Sequence, residues 1–330
     1  MFLALVVGVG CKVPTPTTGE VVQIATFTTG FESDGLPRVV PSIDPAGLVW
    51  HSPTGHLFIV DSEIDQIKGE EGEDLWDYTE GNLFEVSPDG TVLYQSYDLI
   101  GDRDLCDCVE DPHDNDCPDE LPVGVCNEEP TGITWSDLSE RFYVSNDDRG
   151  EIVQYQRVDN GKGGFELVAE VATSLSQWSQ VSGLLDLEDI TVDPLTGVLW
   201  GVVGEEAVVV AFSTTSGFEL ARTFSVGGWI NNPEGIVVDP VGGHLLLVSS
   251  KDDKLVEVST EGVLVAEYSL SGLTPAQIAA QGLAFGFPSD GTGDDAATHL
   301  YMADGGVDNS DDENERDGRI FEVRLASPDE

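Results

Sequence analysis

Basic side chains are scarce in this sequence: 14 Lys and Arg residues stand against 62 Asp and Glu residues, for a formal net charge of −48. This balance excludes nucleic acid as a partner, because phosphate binding needs clustered Lys and Arg. It excludes an anionic membrane surface for the same reason. A chain this acidic repels itself when it is compact. We therefore expect bound cations, a salty medium or both to support the fold; the alternative is a solvated acidic surface of the halophile type.

The sequence also lacks the short motifs of several common enzyme classes. No GxSxG, HExxH or P-loop pattern occurs in the chain. Three of the five histidines, His56, His244 and His299, fall directly before similar apolar segments. A histidine that recurs at one turn predicts a structural role rather than a catalytic one. The sequence therefore identifies no catalytic residue.

A membrane-spanning apolar run is missing at the N-terminus. The apolar segment 1–10 (MFLALVVGVG) is shorter than the about 20 residues that cross a bilayer. It is typical of the end of a secretory signal, and the Gly10-Cys11 junction with the Pro/Thr-rich stretch after it resembles a bacterial lipoprotein lipobox. We therefore interpret residues 1–18 as a signal remnant and tether. The protein is predicted to be exported, and to be secreted or lipid-anchored through Cys11 at the bacterial cell surface or periplasm.

Cysteine is rare, and all but one of the five cysteines fall in one short segment, at Cys106, Cys108, Cys117 and Cys126. The exported setting favours two disulfides in this segment. A zinc site is the alternative, but its cysteines are usually spaced CxxC, whereas the first pair here is CxC. Four cysteines allow three pairings, and the sequence does not choose among them.

Short strand-like segments repeat along the chain. Five segments share one plan, and each opens on a related motif: Asp44–Trp50 (DPAGLVW), Glu129–Trp135 (EPTGITW), Asp186–Val192 (DLEDITV), Asn232–Val238 (NPEGIVV) and Ala279–Phe285 (AAQGLAF). Four-stranded repeats of this length are typical of propeller blades. We therefore predict an all-β fold, a single β-propeller domain over residues 19–325, with five four-stranded blades. Six blades are the alternative, if a diverged blade is hidden in the insertions.

The fifth segment lacks a fourth strand of its own. The N-terminal segment Gly19–Phe27 resembles the fourth strands of the other segments, so we predict that it completes the last blade and closes the ring. Two insertions, 63–81 and 100–128, interrupt the first blade. A short helix is predicted from Thr274, and residues 326–330 form a tail.

Oxygen-bearing side chains recur where the chain enters each inner strand. Residues two apart in an extended segment point the same way, so two aligned positions should ring one mouth of the central channel. The first position holds Asp44, Glu129, Asp186, Asn232 and Ala279, and the second holds Ala46, Thr131, Glu188, Glu234 and Gln281. The ends of the second strands add Asp61, Asn146, Ser249 and Asp304. Such oxygens suit Ca²⁺, which takes about 6–8 oxygen ligands; the alternative is that they cap turns and loop amides.

A second candidate calcium site is the acidic loop Asp308–Gly318. Its oxygens alternate as in calcium loops, but Glu313 stands where an EF-hand needs Gly. The loop is therefore either a structural ion site or a solvated acidic loop. The metal ligands predicted from both sites are Glu129, Asn146, Glu188, Glu234, Asp304, Asp308 and Asp312.

Three stretches carry a family resemblance: NPEGIVVDPVGGHLLLVSS, EPTGITW with FYVSNDDRGEIVQY, and HLYMADGGVDNSDDENERDGRIFEV. They resemble secreted bacterial propellers of the NHL and SdiA-regulated type, which are distantly similar to the gluconolactonase and senescence-marker group. The resemblance covers about residues 20–325 and implies a calcium-associated extracellular propeller.

The lactonase group implies a ligand set for one divalent ion. In that group a Glu that opens an inner strand holds the ion together with Asn and Asp from other blades. Glu188 and Glu234 correspond to that Glu, with Asn146 and Asp304 as companions. The chain departs from the group at Ile236, which stands where the group has proline.

Three functional hypotheses follow from these observations. The first is a non-catalytic, exported, calcium-stabilised module that presents its channel face to an extracellular ligand or protein. The rival is a metal-dependent hydrolase of a lactone, ester or phosphoester, in which the ion polarises the substrate and lowers the pKa of bound water. A third, weaker hypothesis is a structural component of a larger surface assembly.

Overall fold

The computed structural model of the chain describes residues 16–29, 42, 44–62, 81–91, 93–99, 129–147, 149–159, 161, 165–178, 181, 183–184, 186–214, 218–274, 278–290, 298–306 and 318–326. These residues form twenty β-strands and one short 3₁₀ helix, Leu175–Gln177. None of the helical segments in this part of the chain has the length and apolar character needed to cross a bilayer. The fold is all-β, as the sequence predicts.

The described strands form five four-stranded groups. The first group contains β2 (Pro45–His51), β3 (His56–Asp61), β4 (Leu83–Val86) and β5 (Leu93–Tyr97). The second contains β6 (Pro130–Ser136), β7 (Arg141–Asn146), β8 (Glu151–Asp159) and β9 (Phe165–Ser174). The third contains β10 (Leu187–Val192), β11 (Val198–Val203), β12 (Val208–Ser213) and β13 (Glu219–Ser225).

The last two groups are joined into one sheet. The fourth group contains β14 (Gly235–Val238), β15 (Leu245–Ser249), β16 (Lys254–Val258) and β17 (Leu264–Ser269). The fifth contains β18 (Ala280–Gly286), β19 (His299–Asp304), β20 (Arg319–Ala326) and the N-terminal strand β1 (Thr17–Thr28).

The first strand of each group lies innermost, and the inner strands contact one another in a closed cycle. The cycle runs from β2 to β6, β10, β14 and β18, and then back to β2. This arrangement is a β-propeller. It explains why the inner strands carry the recurrent motif, since each occupies an equivalent place around one axis.

The N-terminal strand completes the fifth blade, as predicted. β1 pairs antiparallel with β20. Its first residues, Thr17–Glu20, also pair in parallel with Ala266–Ser269 of β17 in the fourth blade. β1 therefore covers strand edges of two neighbouring blades, which removes open edges at the point where the ring closes.

The hydrophobic core lies between the faces of neighbouring blades. The second strand of the first blade, His56–Asp61 (HLFIVD), is buried along almost its whole length, because both of its faces are covered. Phe58 from this strand packs with Phe142 and Val144 of the second blade. Outer strands such as β13 are largely exposed instead. The short apolar runs of the sequence are therefore the inner layers of each blade.

The three aligned histidines take part in a repeated contact within their blades. In each, the Nδ1 atom lies 2.5–2.7 Å from a Glu carboxylate on the third strand: His56 with Glu85, His244 with Glu257, and His299 with Glu322. The carboxylates of Glu85 and Glu322 are almost completely buried. This repeated pair supports the structural interpretation of the recurrent histidine.

Glycines near the start of the inner strands allow these strands to approach closely. The recurrent position is Gly47, Gly132, Gly235 and Gly282 in four blades, and Asp189 in the third. A Cβ atom on Gly282 would lie 2.6 Å from both the carbonyl oxygen of Ala46 and the Cα of Gly47. These neighbours are backbone atoms, which do not move aside easily. The waist of the propeller is therefore narrow and separates the two ends of the channel.

Replacing Gly282 by Ala should destabilise the protein. We expect Gly282→Ala to cost at least about 1–3 kcal/mol of unfolding free energy, because the added methyl group meets backbone atoms of the neighbouring inner strand β2. Gly228→Ala is the matched control, since a Cβ there meets nothing within 4 Å, and its effect should stay within about 0.5 kcal/mol. Urea unfolding of both variants measures the difference. Equal stabilities would contradict the tight waist.

Candidate functional site

One end of the inner strands encloses a polar cavity of about 210 Å³, which we call the acidic mouth. In each of the five blades, the residue directly before the recurrent position lines this cavity: Ala46, Thr131, Glu188, Glu234 and Gln281. Four further residues with side-chain oxygens complete the lining: Asp44, Ser62, Glu129 and Asp147. No Lys or Arg is among these lining residues. The second of the two aligned positions therefore lines the cavity in all five blades. Of the first aligned position only Asp44 and Glu129 are among the lining residues, and Asp186, Asn232 and Ala279 are not.

Glu188 is a strongly perturbed carboxyl group of the acidic mouth. Burial raises its pKa to about 9, and the neighbouring charges of Asp186, Asp147 and Glu234 raise it further. Gly204 lies against this group, where a Cβ would be 2.5 Å from Glu188 Oε1. The carboxyl groups are therefore crowded and lack a compensating positive charge in the lining.

Glu234 is held in place by two donors from its own blade. Its Oε1 accepts a hydrogen bond from Asn232 Nδ2 at 2.9 Å, and its Oε2 accepts one from Ser250 Oγ at 2.7 Å. Burial raises the pKa of Glu234 despite these bonds. This side chain is therefore oriented in advance, whereas Glu188 is surrounded mainly by like charge.

Gln281 brings an unsatisfied oxygen to the same cavity. Its side chain lines the acidic mouth, and its Oε1 atom is buried without a hydrogen-bond partner among the described residues. A buried acceptor without a donor is unfavourable unless a ligand or water supplies one. This oxygen therefore suits a ligand that donates a hydrogen bond or a cation that is coordinated by oxygen.

The structure gathers only some of the predicted metal ligands. Glu129, Glu188 and Glu234 line the acidic mouth, but Asn146 and Asp304 do not. Asn146 is buried and accepts a hydrogen bond from the Arg149 amide at 3.2 Å. It caps the turn after β7, which corresponds to the capping alternative.

Asp304 is also committed to structure. Its Oδ1 accepts the amides of Ala279 and Gly306 at 2.7 and 3.1 Å, and its Oδ2 lies 3.0 Å from Arg319 Nε. Asp61 has the equivalent place in the first blade, where its Oδ2 accepts a bond from the Asp44 amide at 3.1 Å. These aligned carboxylates hold the entry of the inner strands.

Several sequence predictions lie outside the described residues. They include the metal ligands Asp308 and Asp312 of the acidic loop, the helix beyond Thr274, the Cys11 anchor, and the four cysteines of the insertion: Cys106, Cys108, Cys117 and Cys126. These stay predictions.

The donor chemistry of the acidic mouth suits a hard cation, but the side chains are not preassembled around one. Carboxylate and amide oxygens are the ligands that Ca²⁺ prefers. In the described part of the chain, however, no group of three or more His, Cys, Asp or Glu side chains is placed to hold a metal ion. Binding of an ion here therefore requires the carboxylates to turn toward it.

Asp189 is a site residue that the sequence interpretation missed. It occupies the recurrent glycine position of the third blade, is 1% exposed, and accepts the amides of Ile190 and Ile236 at 2.8 and 2.9 Å. The Leu283 amide also donates to it. Burial raises the pKa of Asp189, while the three donors lower it. One carboxylate thus links the third, fourth and fifth blades beneath the acidic mouth.

Comparison with known proteins places the chain by fold alone. No protein-family model matches it, and no curated protein matches its sequence. Among solved structures it is similar to Myxococcus xanthus glutaminyl cyclase, with 14% identity, a TM-score of 0.51, and coverage of 95% of this chain and 99% of that chain. It is also similar to the PQQ-bound aldose sugar dehydrogenase of Streptomyces coelicolor, with 14% identity, a TM-score of 0.48, and coverage of 94% and 99%. Both are β-propeller enzymes.

Proposed function

We propose that this protein is an exported binding module of the propeller fold whose acidic mouth takes up a cation, with Ca²⁺ as the expected ion. The observation that carries the proposal is the convergence of Asp44, Glu129, Asp147, Glu188 and Glu234 on one cavity that no Lys or Arg lines. A cation bound there relieves the like-charge repulsion that, in addition to burial, raises the pKa of Glu188. It also supplies the partner that Gln281 Oε1 lacks.

The proposed binding role rests on the closed ring of inner strands. The inner strands hold the mouth residues on a closed cycle of strands, and such a scaffold presents loops to a ligand or partner. The resemblance to NHL and SdiA-regulated propellers supports an extracellular setting, as do the signal-like residues 1–10.

Titration calorimetry with Ca²⁺ near pH 8 tests the proposal. The double variant Glu188→Gln/Glu234→Gln should bind Ca²⁺ at least tenfold more weakly than the unmodified chain, because it loses two charged ligands at nearly constant volume. The control Glu140→Gln/Glu166→Gln removes two exposed charges elsewhere and should bind within about twofold of it.

Each alternative outcome has a defined meaning. Equal affinity in the mouth variant would place the ion elsewhere, and no saturable binding would mean that the acidity is solvated surface. The hydrolase alternative is favoured by one observation, the perturbed carboxyl group of Glu188 in a cleft. Ion-dependent turnover of a lactone, aryl ester or phosphoester that is lost in the mouth variant would establish it.

A further inference from the structure

The opposite end of the inner strands encloses a second cavity, of about 250 Å³, which we call the aromatic cavity. The third residue after the recurrent position lines it in every described blade: Trp50, Trp135, Val192, Val238 and Phe285. This cavity lies beyond the narrow waist, so it is distinct from the acidic mouth. The proposed function makes no use of it.

The aromatic residues lie on one side of this cavity. Phe285, Trp50 and Trp135 come from the fifth, first and second blades, which are neighbours in the ring. The third and fourth blades place Val192 and Val238 at the equivalent positions. Aromatic residues therefore line one side of the cavity, and the smaller valines line the other. A flat apolar ring fits such a space.

The wall of rings is fixed by packing. Phe287 meets Trp50 edge to face, with ring centroids 5.5 Å apart and planes at 89°. His51 packs behind Trp135 at a centroid distance of 4.4 Å. Burial lowers the pKa of His51 to about 3, so this ring is neutral and adds no positive charge near the cavity. The aromatic wall is therefore preformed.

The hydroxyl groups of the cavity floor serve the ring of strands. Thr134 Oγ1 accepts the Val192 amide at 3.0 Å, and Thr191 Oγ1 accepts the Val238 amide at 3.4 Å. Each bond ties an inner strand to the next blade. These two threonine oxygens therefore stabilise the contacts between blades. The bottom of the aromatic cavity offers mainly apolar surface to a ligand.

One carboxylate stands at the rim of the aromatic cavity. Asp137 Oδ1 accepts hydrogen bonds from Trp135 Nε1 at 2.7 Å and from Ser52 Oγ at 2.5 Å. These two donors fix the carboxylate beside the indole wall. No Lys or Arg is among the described residues that line this cavity. Because Trp135 Nε1 donates to it, the carboxylate lies at the edge of the indole ring, where its negative charge attracts a cation.

We propose that the aromatic cavity binds a small organic cation, with its apolar ring against the aromatic wall and its ammonium group beside Asp137. The cavity lies just below the roughly 300–1,000 Å³ range of drug-sized sites, so the ligand is small. Phenethylamine has this chemistry. Phenethyl alcohol and hydrocinnamate carry the same ring with no charge and with a negative charge, respectively.

Calorimetry and the indole N–H signals of ¹⁵N-labelled tryptophan test the proposal near pH 7. About 0.5 M salt shortens the screening length to about 4 Å and suppresses nonspecific attraction to this acidic chain. Phenethylamine should saturate and shift the signals of Trp50 and Trp135. Its affinity should exceed that of phenethyl alcohol, and should exceed that of hydrocinnamate at least tenfold.

Two variants with matched controls locate the ligand. Val192→Trp should abolish binding by filling the space, whereas Val168→Trp adds the same side chain on an exposed outer strand and should not. Asp137→Asn should weaken phenethylamine binding by up to about fivefold, whereas Glu166→Gln should leave it unchanged. Asp137 is exposed, so this variant tests the idea even if Val192→Trp fails to fold.

The acidic mouth is tested apart from this cavity. The variant Glu188→Gln/Glu234→Gln should keep its affinity for phenethylamine, and a loss there would place the amine in the acidic mouth and overturn the proposal. No saturable binding would overturn it as well. Equal binding of phenethylamine and hydrocinnamate would overturn the assignment of a cation.

Discussion

Replacing Asp189 by Ala is expected to destabilise the protein by at least about 3 kcal/mol. The carboxylate accepts amide hydrogens from Ile190, Ile236 and Leu283 at a place that is 1% exposed. Removal of the acceptor leaves three buried N–H groups without it, and each unsatisfied group costs about 1–3 kcal/mol. Urea unfolding at constant pH measures the loss.

Two further variants separate hydrogen bonding from packing at the waist. Asp189→Gly restores the residue that four other blades carry, so it should be well tolerated if packing alone decides. We expect it to be as destabilising as Asp189→Ala, because it also removes the acceptor. Asp159→Ala is the exposed control, where one surface amide, that of Gly161, loses its acceptor. A change below about 1 kcal/mol in Asp189→Ala would refute the linking role.

The sequence was sufficient to predict the β-propeller architecture and part of the lining of the acidic mouth. The recurrent motif gives the period of the blades, and strand alternation then places Glu188, Glu234 and Gln281 on one face. It also identified β1 as the missing strand, because Gly19–Phe27 repeats the pattern of a fourth strand. These inferences succeeded because they depend on local periodicity.

The sequence could not separate ligand-facing carboxylates from those that bind backbone. Asp304 and Glu234 both stand at the same end of their blades, but only the structure shows that Asp304 meets Arg319 and two amides. In the sequence, Asp189 stands where the other four blades have glycine, and nothing local explains it. The reason appears only in the structure, because the amides that donate to Asp189 come from three different blades. Trp50 and Trp135 were indistinguishable from core residues until ring closure placed them around one cavity.

In the presence of chelator, Glu188→Gln is expected to be more stable than the unmodified chain at alkaline pH. Burial and like charges raise the folded-state pKa of Glu188 from 4.5 to about 9, so folding favours its protonated form. That contribution is complete below about pH 4.5 and is lost as the pH rises toward about 9. The unmodified chain should therefore lose stability across this window by at most roughly 1.4 kcal/mol per pH unit from this group.

Urea unfolding from pH 5 to pH 9 checks the sign of this effect. The variant has no carboxyl group at position 188, so its advantage should be near zero at pH 5 and should grow steadily above it. Asp189 is common to both proteins and cancels from the difference. Glu166→Gln, which removes an exposed charge, should run parallel to the unmodified chain. Parallel profiles for Glu188→Gln as well would contradict the crowding of carboxyl groups at the acidic mouth.

Added Ca²⁺ should narrow the difference between the two proteins at high pH. A ligand that binds only the folded state stabilises it by RT ln(1 + [L]/Kd), about 2.7 kcal/mol at a hundredfold excess over Kd. The unmodified chain gains the most stability from bound Ca²⁺ when Glu188 is ionised. The Glu188→Gln variant gains less stability from Ca²⁺, because it lacks the Glu188 carboxylate as a ligand. The burial and like charge that weaken the ion-free fold at alkaline pH are thus the same properties that favour a cation in the acidic mouth.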